Sequence, residues 1–438
     1  MSIELLSIVF VAAFIIVLLS GLPLAFATGA IAVAFAYGLF GEPGLTLIVS
    51  RVFTLMGNYV LVSVPLFIFM ACLLQRAGIA EAIFRVVHVW AGGLPGGLAV
   101  AVIISCALMA TVVGVIGAEI VTMGVVALPA MLSRGYHKSL ALGSICAGGG
   151  LATLIPPSVV FIMYGLTAGV SIGELYMAGV IPGLLLATAY ILYIIVRCTL
   201  NPELAPRSAP GERQMPLAEK IRLLGDLALP ALLAVAVLGS LYLGIATPTE
   251  AAGVGVVGAA VTMLVNRSFT WDRVVAAIRD TTLVTVMLYW LFFGSSALVG
   301  VYTLAGGTKL IQDTLQALPL GPIGVLILIQ LIWIVLGCFI DWIGILLLTA
   351  PIFVPVTVAL GFDPVWVGVL FCINMQISYI SPPFGPAAFY LKGVVPPGIT
   401  LGDIFRSIWP YLVLQFLVLG VLIAFPELVL WLPNTMND

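Results

Sequence analysis

Charge is scarce in this chain. Only 8% of its 438 residues are Asp, Glu, Lys or Arg, whereas about 25% are charged in a typical soluble protein. Hydrophobic residues make up 63% of the chain, and apolar runs of about 20 residues, the length that a spanning helix needs, recur throughout. The sequence therefore predicts an integral membrane protein in a lipid bilayer, and without a basic patch it gives no indication of nucleic-acid binding.

Groups that carry catalysis are also few. The chain has two histidines, His88 and His137, and six cysteines, of which no two form a CxxC pair. The spacing provides no second ligand for zinc or haem, and no Ser-His-Asp or Cys-His set can be assembled. No GxxxxGK[ST] loop for ATP phosphates occurs. We expect no cofactor, no enzymatic activity, and cysteines that act as small buried hydrophobes.

The first apolar run is interpreted as a retained helix. Signal peptides start with positive charge, whereas this chain starts with "MSIELL".

What the chain does contain is a repeat. Two Pro-Pro pairs, Pro156-Pro157 and Pro382-Pro383, stand 226 residues apart. The gapless match around them runs for about forty residues. The most polar stretch of the chain lies between the repeats, as expected of a linker. The predicted domains are a first repeat at 1–200, a linker at 201–226 and a second repeat at 227–438.

Each repeat has the same predicted helices. We expect five spans in each half, of which the fourth is broken at its Pro-Pro pair: 3–20, 22–40, 57–76, 139–168 and 174–197, then 227–245, 248–265, 282–303, 364–392 and 406–430. Two apolar segments, 94–132 and 320–358, are too long for one span and have polar residues or glycine in the middle. Both are predicted to be re-entrant hairpins.

The positive charges set the predicted orientation. With the linker in the cytoplasm, fourteen of the sixteen Lys and Arg residues fall inside and only Arg51 and Lys309 fall outside, as the positive-inside rule requires. Both termini are then periplasmic. An odd number of spans in each half inverts the second repeat. The predicted fold class is an all-α polytopic membrane protein with two inverted-topology repeats, about ten spanning helices and two re-entrant hairpins.

Proline breaks in lipid have a functional meaning. Broken backbone is tolerated at membrane depth only where protein or water satisfies it. The freed carbonyls suit a cation, while the freed N–H groups and the positive end of the helix dipole suit an anion. Paired breaks in inverted repeats are typical of secondary transporters. A channel would need a continuous pore, and an enzyme would need converging catalytic groups.

Two acids lie deep in the predicted hairpins, Glu119 and Asp341. An ionisable group inside a membrane is a candidate functional residue by default. We expect Asp341 to bind a coupling ion or a polar part of the substrate. Glu119 has the same candidate role, although a helix start would also suit it. Glu250, after Thr247 and Thr249, is interpreted as a capping residue.

Several long motifs carry a resemblance to a known family. "PTEAAGVG", "LPAMLSRGYHKSLALGSICAGGGLATLIPPSVVFIMYG", "SIGELYMAGVIPGLL", "APIFVPVTVALGFDPVWVGVLF" and "ISPPFG" follow in order over essentially the whole chain. They resemble the large membrane subunit of TRAP transporters, the DctM-like permeases. The resemblance implies an elevator-type fold, sodium-coupled import of a small organic acid, and a place in the bacterial inner membrane. It also implies two partners, a small four-helix membrane subunit and a periplasmic substrate-binding protein.

The resemblance also implies two sodium sites, each between a hairpin tip and a Pro-Pro break. Site two falls on Gly337, Ser378, Ser381 and Phe384. Site one falls on the residues Ala110, Val113, Ala152, Ile155 and Pro156. Sialic-acid relatives have serines at the positions of Ala110 and Val113. Backbone carbonyls therefore suffice here, or Thr111 or Glu119 replaces the serines, or site one is altered.

The substrate is predicted only by class. Helix starts after the breaks and the Ser158 hydroxyl would suit a carboxylate. No Lys or Arg lies deep in the helices, which favours a small monocarboxylate or oxo acid over a highly charged molecule. A proton at Glu119 or Asp341 is the alternative coupling ion.

Overall fold

The computed structural model describes residues 2–112, 117–206 and 216–436, and every regular element in these residues is a helix. The prediction of an all-α protein is therefore confirmed. Seven helices in the described part of the chain are long and apolar enough to cross a membrane, and seven shorter helices are also apolar. Large hydrophobic side chains cover much of the exposed surface, as expected of helices that face lipid.

The described residues of the first half form ten α-helices, most of them joined by short turns. They are α1 (Ile3–Leu19), α2 (Leu24–Phe40), α3 (Glu42–Met56), α4 (Ser63–Arg76), α5 (Ile79–Ala91), α6 (Gly97–Ala110), α7 (Ala118–Ser133), α8 (Lys138–Gly150), α9 (Val159–Ala168) and α10 (Ile172–Leu200).

Residues 216–436 form eleven more. They are α11 (Leu217–Leu224), α12 (Ala228–Tyr242), α13 (Pro248–Val265), α14 (Trp271–Leu304), α15 (Gly307–Ala317), α16 (Pro322–Gly337), α17 (Trp342–Ala359), α18 (Pro364–Ile380), α19 (Pro386–Lys392), α20 (Leu401–Ala424) and α21 (Glu427–Asn434). The order of helices from α14 to α20 repeats the order from α4 to α10. The inverted orientation of the two repeats stays a prediction.

The interrupted helices lie where the prolines stand. α8 ends at Gly150, a 3-10 turn covers Leu151–Thr153, and α9 begins at Val159. α18 ends at Ile380 and α19 begins at Pro386. The Pro156-Pro157 and Pro382-Pro383 peptide bonds are both cis. Each break leaves the carbonyls of one helix end and the N–H groups of the next helix start without intrahelical partners.

The predicted map named membrane spans only, and the structure forms further helices between them. It treated α3, α5 and α15 as connections, and it started α14 near 282 rather than at Trp271. These segments carry charged residues along one face, including Arg51, Arg85 and Lys309. A search for uninterrupted apolar runs passes over such amphipathic helices.

The helices pack in two groups. α2, α3, α4, α12, α13 and α14 pack on one another, and an ion pair of 2.5 Å between Arg76 and Asp280 joins α4 to α14. The second group consists of α6, α7, α8, α9, α10, α16, α17, α18 and α20. The groups meet where α17 packs against α14, α10 against α12, and α9 against α4.

α8 packs unusually closely within the second group. A Cβ on Gly143 would lie 2.3 Å from the Ser407 carbonyl oxygen of α20, and one on Gly149 would lie 2.2 Å from Cγ1 of Ile120 in α7. Real Cβ atoms do not approach neighbours so closely. The glycines therefore let the backbone of α8 contact its neighbours directly.

The interpretation of Glu250 as a capping residue is confirmed. The Thr247 side chain accepts the Glu250 N–H at 3.3 Å, and the Glu250 carboxylate accepts the Thr247 N–H at 2.8 Å. This reciprocal pair is a capping box at the start of α13.

Candidate functional site

The turn between α16 and α17, which is the tip of the second predicted hairpin, touches the second broken helix, α18. A Cβ on Gly337, the last residue of α16, would lie 1.9 Å from the Ser378 hydroxyl oxygen of α18. The Ser378 hydroxyl donates to the Asn374 carbonyl at 3.1 Å, and the Ser381 hydroxyl donates to the Ser378 carbonyl at 3.4 Å. The structure thus brings Gly337, Ser378 and Ser381 together, as the predicted site requires.

A small space opens beside this contact. Its volume is about 10 Å³, and its wall includes Gly337, Asp341, Ser378 and Phe384. A space of this size admits about one water-sized sphere. The nearby hydroxyl, carboxylate and carbonyl oxygens are the ligands that a hard cation takes. The donor set therefore fits a small cation, and its assignment to sodium stays a prediction.

Asp341 stands at the start of α17 and faces both this space and a larger cavity. Its side chain makes no capping hydrogen bond, although the N–H groups of Trp342 and Ile343 lie within interaction range of its carboxylate. The side chain is partly buried. A carboxylate in this position is available to a bound ion or substrate.

The larger cavity lies between the two helix groups and has a volume of about 440 Å³. The first group contributes residues of α2, α4 and α14. The second break and its short helix contribute Phe384, Pro386 and Tyr390. Asp341 is the one Asp, Glu, Lys, Arg or His on the described wall, and the rest is largely apolar. A cavity with few convergent polar groups is the usual form of a small-molecule site.

The first hairpin tip and the first break also lie together. α6, which ends at Ala110, packs against the 3-10 turn that contains Ala152. Ala110, Ala152, Ile155 and Pro156 are all buried. None of these four side chains carries an oxygen. Val113 lies outside the described residues, so its part in the predicted site one cannot be placed.

Two hydroxyls that were predicted to bind sodium or substrate, those of Thr111 and Ser158, are hydrogen-bonded to nearby backbone. The Thr111 hydroxyl donates to the Leu108 carbonyl at 2.7 Å. The Ser158 hydroxyl donates to the Thr153 carbonyl at 2.7 Å and accepts the Val160 N–H at 3.3 Å. Ser158 thereby caps α9, and it is absent from the described wall of the 440 Å³ cavity.

Glu119 is separate from both spaces. It lies in the first turn of α7 with 0% exposure. Neither carboxylate oxygen has a hydrogen-bond partner among the described residues. The favourable interaction with the start of α7 remains, but no described hydrogen bond makes Glu119 a capping residue.

Sequence reasoning missed several residues around the site. Tyr379 and Tyr390 line the larger cavity, with ring centroids 6.5 Å apart. The Asn374 side chain donates to the backbone carbonyl and the side-chain oxygen of Gln330, both at 2.9 Å, which ties α18 to α16. The available signal was an Asn and a Gln inside otherwise apolar helices.

Comparison with known sequences identifies relatives over nearly the whole chain. The family described as "Tripartite ATP-independent periplasmic transporter, DctM component" matches residues 11–428. The C4-dicarboxylate TRAP transporter large permease protein DctM of Vibrio cholerae is 30% identical over 401 residues, which cover 87% of each chain. The ectoine/5-hydroxyectoine TRAP transporter large permease protein UehC of Ruegeria pomeroyi is 32% identical over 374 residues, which cover 85% of each chain.

Solved structures share the fold at low sequence identity. The YdaH transporter of Alcanivorax borkumensis matches with a TM-score of 0.59 at 17% identity, over 94% of this chain and 99% of that one. MtrF of Neisseria gonorrhoeae has the same TM-score and identity, over 88% of this chain and 85% of that one. These matches concern the fold alone.

Proposed function

Since this chain belongs to the DctM family of tripartite ATP-independent periplasmic transporters, we propose that it imports a small organic acid with a sodium gradient by an elevator movement. The chain is a large permease subunit and not an enzyme. The observation that supports the proposal is the 440 Å³ cavity between the two helix groups. A substrate held there contacts the hairpin and the second break on one side and α2, α4 and α14 on the other.

The substrate class follows from the cavity wall. The wall is mostly apolar, and the one charge that its described residues supply is the negative charge of Asp341. A substrate carboxylate beside Asp341 needs a cation between them, because like charges at close range repel. Sodium at Gly337, Ser378 and Phe384 would supply that charge. The wall favours a small monocarboxylate or oxo acid with an apolar body.

Partners complete the proposed transporter. Permeases of this family work with a small membrane subunit and a periplasmic binding protein. We expect this chain to receive its substrate from such a binding protein, in the bacterial inner membrane. The exposed hydrophobic surface provides the lipid-facing area that a multi-pass protein needs.

A proton is the second candidate for the coupling ion. Glu119 supports it, because a buried carboxyl without a hydrogen-bond partner among the described residues is costly in its charged form. Sodium and proton coupling are distinguished by whether sodium binding stabilises the protein.

The first prediction concerns sodium binding. A sodium titration is expected to raise the thermal unfolding midpoint of the purified protein, while potassium or choline at matched ionic strength does not. A ligand that binds only the folded state adds about 2.7 kcal/mol of stability at a hundredfold excess over its Kd. Sodium without effect on this midpoint, together with uptake driven by a pH gradient, would instead support the proton.

Ser381 provides a sharper form of the same titration. In Ser381→Ala, the sodium concentration that gives half of the stabilisation is expected to rise about tenfold. A hydrogen-bonding group on a charged ligand contributes about 1.5–3 kcal/mol. Ser133→Ala is the matched control, since its hydroxyl also bonds a carbonyl three residues earlier but is exposed. An unchanged sodium curve in Ser381→Ala removes this residue from the site.

The orientation has its own test. In a chain whose native cysteines are replaced, a cysteine at position 211, outside the described residues, is expected to react with an impermeant maleimide only from the cytoplasm. Lys309→Cys, on an exposed position of α15, is expected to react only from the periplasm. Labelling of both positions from one side would refute the proposed topology.

A further inference from the structure

Four polar side chains meet inside the second helix group, behind the first break. They come from three helices: Tyr190 from α10, Gln376 from α18, and Tyr411 and Gln415 from α20. Each is 0% or 1% exposed. They lie away from the 440 Å³ cavity, whose described wall contains none of them.

Five polar atoms of these side chains have no direct hydrogen-bond partner among the described residues. Among the described residues, the hydroxyls of Tyr190 and Tyr411, the Gln376 amide nitrogen and both polar atoms of Gln415 have no partner. The Tyr190 hydroxyl lies within interaction range of the Gln376 and Gln415 side chains, and neither contact is a well-formed direct hydrogen bond. Buried polar groups almost always have a partner, so five buried atoms that have no direct partner point to a further molecule within their reach.

The cluster reaches the first break at one end. The Thr153 hydroxyl lies 3.5 Å from the Gln376 side-chain oxygen, and a Cβ on Gly150 would lie 3.3 Å from Cγ of Gln376. Thr153 belongs to the 3-10 turn that ends α8, and its carbonyl accepts the Ser158 hydroxyl. Polar contact therefore continues from Gln376 into the backbone of the break.

The other end leads toward the last turn of α10. The Tyr411 ring packs edge-on against the rings of Tyr190 and Tyr193, with centroids 5.3 Å apart in both pairs. The Tyr193 hydroxyl is hydrogen-bonded to Arg197, which is partly exposed near the end of α10. Polar and aromatic contacts thus follow one another from the break to the partly exposed Arg197.

We propose that Gln376, Tyr190, Gln415 and Tyr411 line a path of bound water that connects the first Pro-Pro break with the end of α10 at Arg197. The ligand is water, because amides and hydroxyls without a neighbouring acid suit a neutral donor and acceptor. A buried water molecule needs several polar groups within hydrogen-bonding reach. If sodium binds at the first break, a step that depends on the proposed function, this water supplies oxygen that Ala110, Ala152 and Ile155 lack in their side chains.

Radiolytic footprinting tests the path on the full chain in lipid nanodiscs. A millisecond X-ray pulse makes hydroxyl radicals from bound water in place, and mass spectrometry measures oxidation of adjacent side chains. Tyr190 and Tyr411 are expected to oxidise at least about fivefold faster than Tyr164, because only the first two contact water. Tyr164 is the matched control: it is also 0% exposed, but its hydroxyl donates to the Pro364 carbonyl at 2.9 Å.

Oxidation of Tyr190 at the rate of Tyr164 overturns the path. A second arm uses Gln415→Leu, which keeps the side-chain volume and removes both polar atoms. This variant is expected to lower the oxidation rate of Tyr190 toward that of Tyr164. An unchanged rate in a folded variant also overturns the proposal, because Gln415 would then hold none of the water.

The result is independent of transport. Footprinting requires no substrate, no sodium gradient and no uptake. A wild-type protein with oxidised Tyr190 but no sodium-driven uptake would refute the proposed function and leave the water path standing. Sodium-driven uptake together with a Tyr190 that is oxidised no faster than Tyr164 would support the proposed function and refute the water path.

Discussion

Gly337→Ala is expected to lower sodium-driven uptake by about tenfold to a hundredfold. The new Cβ would lie 1.9 Å from the Ser378 hydroxyl oxygen and 2.3 Å from its Cβ. Rotation of the Ser378 side chain can move the oxygen but not the Cβ, so α16 or α18 must shift. Overpacking of this kind costs about 1–3 kcal/mol, and each 1.4 kcal/mol changes binding about tenfold. Uptake by reconstituted vesicles at fixed sodium measures the loss.

Two variants separate packing from ion binding. Gly420→Ala in α20 is the control, since a Cβ there has no neighbour within 4 Å. The double variant Gly337→Ala with Ser378→Gly removes both clashing atoms and leaves Cα of residue 378 at an ordinary distance of 3.5 Å. We expect the double variant to unfold at the wild-type temperature. It should need a higher sodium concentration for uptake, because the Ser378 hydroxyl has been removed. Normal uptake by the single variant Gly337→Ala would show that transport does not depend on the close contact between Gly337 and Ser378.

Asp341→Asn is expected to reduce uptake by two to three orders of magnitude while the protein stays folded. Asparagine keeps the shape of the side chain and remains a good residue for a helix start. It removes the charge that faces the candidate cation space and the larger cavity. Removing one member of a buried pair of opposite charges costs about 3–5 kcal/mol. Uptake of substrate and the sodium-dependent rise in unfolding midpoint should both be lost.

The matched control is Asp363→Asn. Asp363 also stands at a helix start, where its carboxylate accepts the N–H groups of Val365 at 2.7 Å and Trp366 at 3.1 Å. Asparagine can accept the same bonds, so uptake should remain near the wild-type level. Wild-type uptake and sodium response in Asp341→Asn would refute its role in coupling.

Some features of the fold follow directly from residue chemistry. A Pro-Pro pair removes two backbone donors, so an interruption at Pro156 and at Pro382 could be predicted from either repeat alone. α5 and α15 could not be found by hydropathy, because each has an apolar face on one side only. A search at the helical period would have found Ile79, Ile83 and Val87 on one face.

The site was predictable only where a residue is chemically unusual. Asp341 stands out in an apolar segment, and the structure places it on the cavity wall. Leu288 and Ile68 line the same wall, yet nothing distinguishes them in sequence from residues that face lipid. Ser158 shows the opposite difficulty, since a hydroxyl beside a break serves a ligand or a cap equally well, and here it caps α9.

The direct backbone contacts of α8 have a mechanical consequence. Gly143 and Gly149 put the main chain of α8 against α20 and α7 without a methyl group between them, and close-packed interiors transmit strain because they are barely compressible. A helix held in this way cannot slide past its neighbours by small rotamer adjustments. Any displacement of the first break therefore carries α7 and α20 along as one rigid body. The bending must be taken up at joints elsewhere, where α17 meets α14 and α10 meets α12.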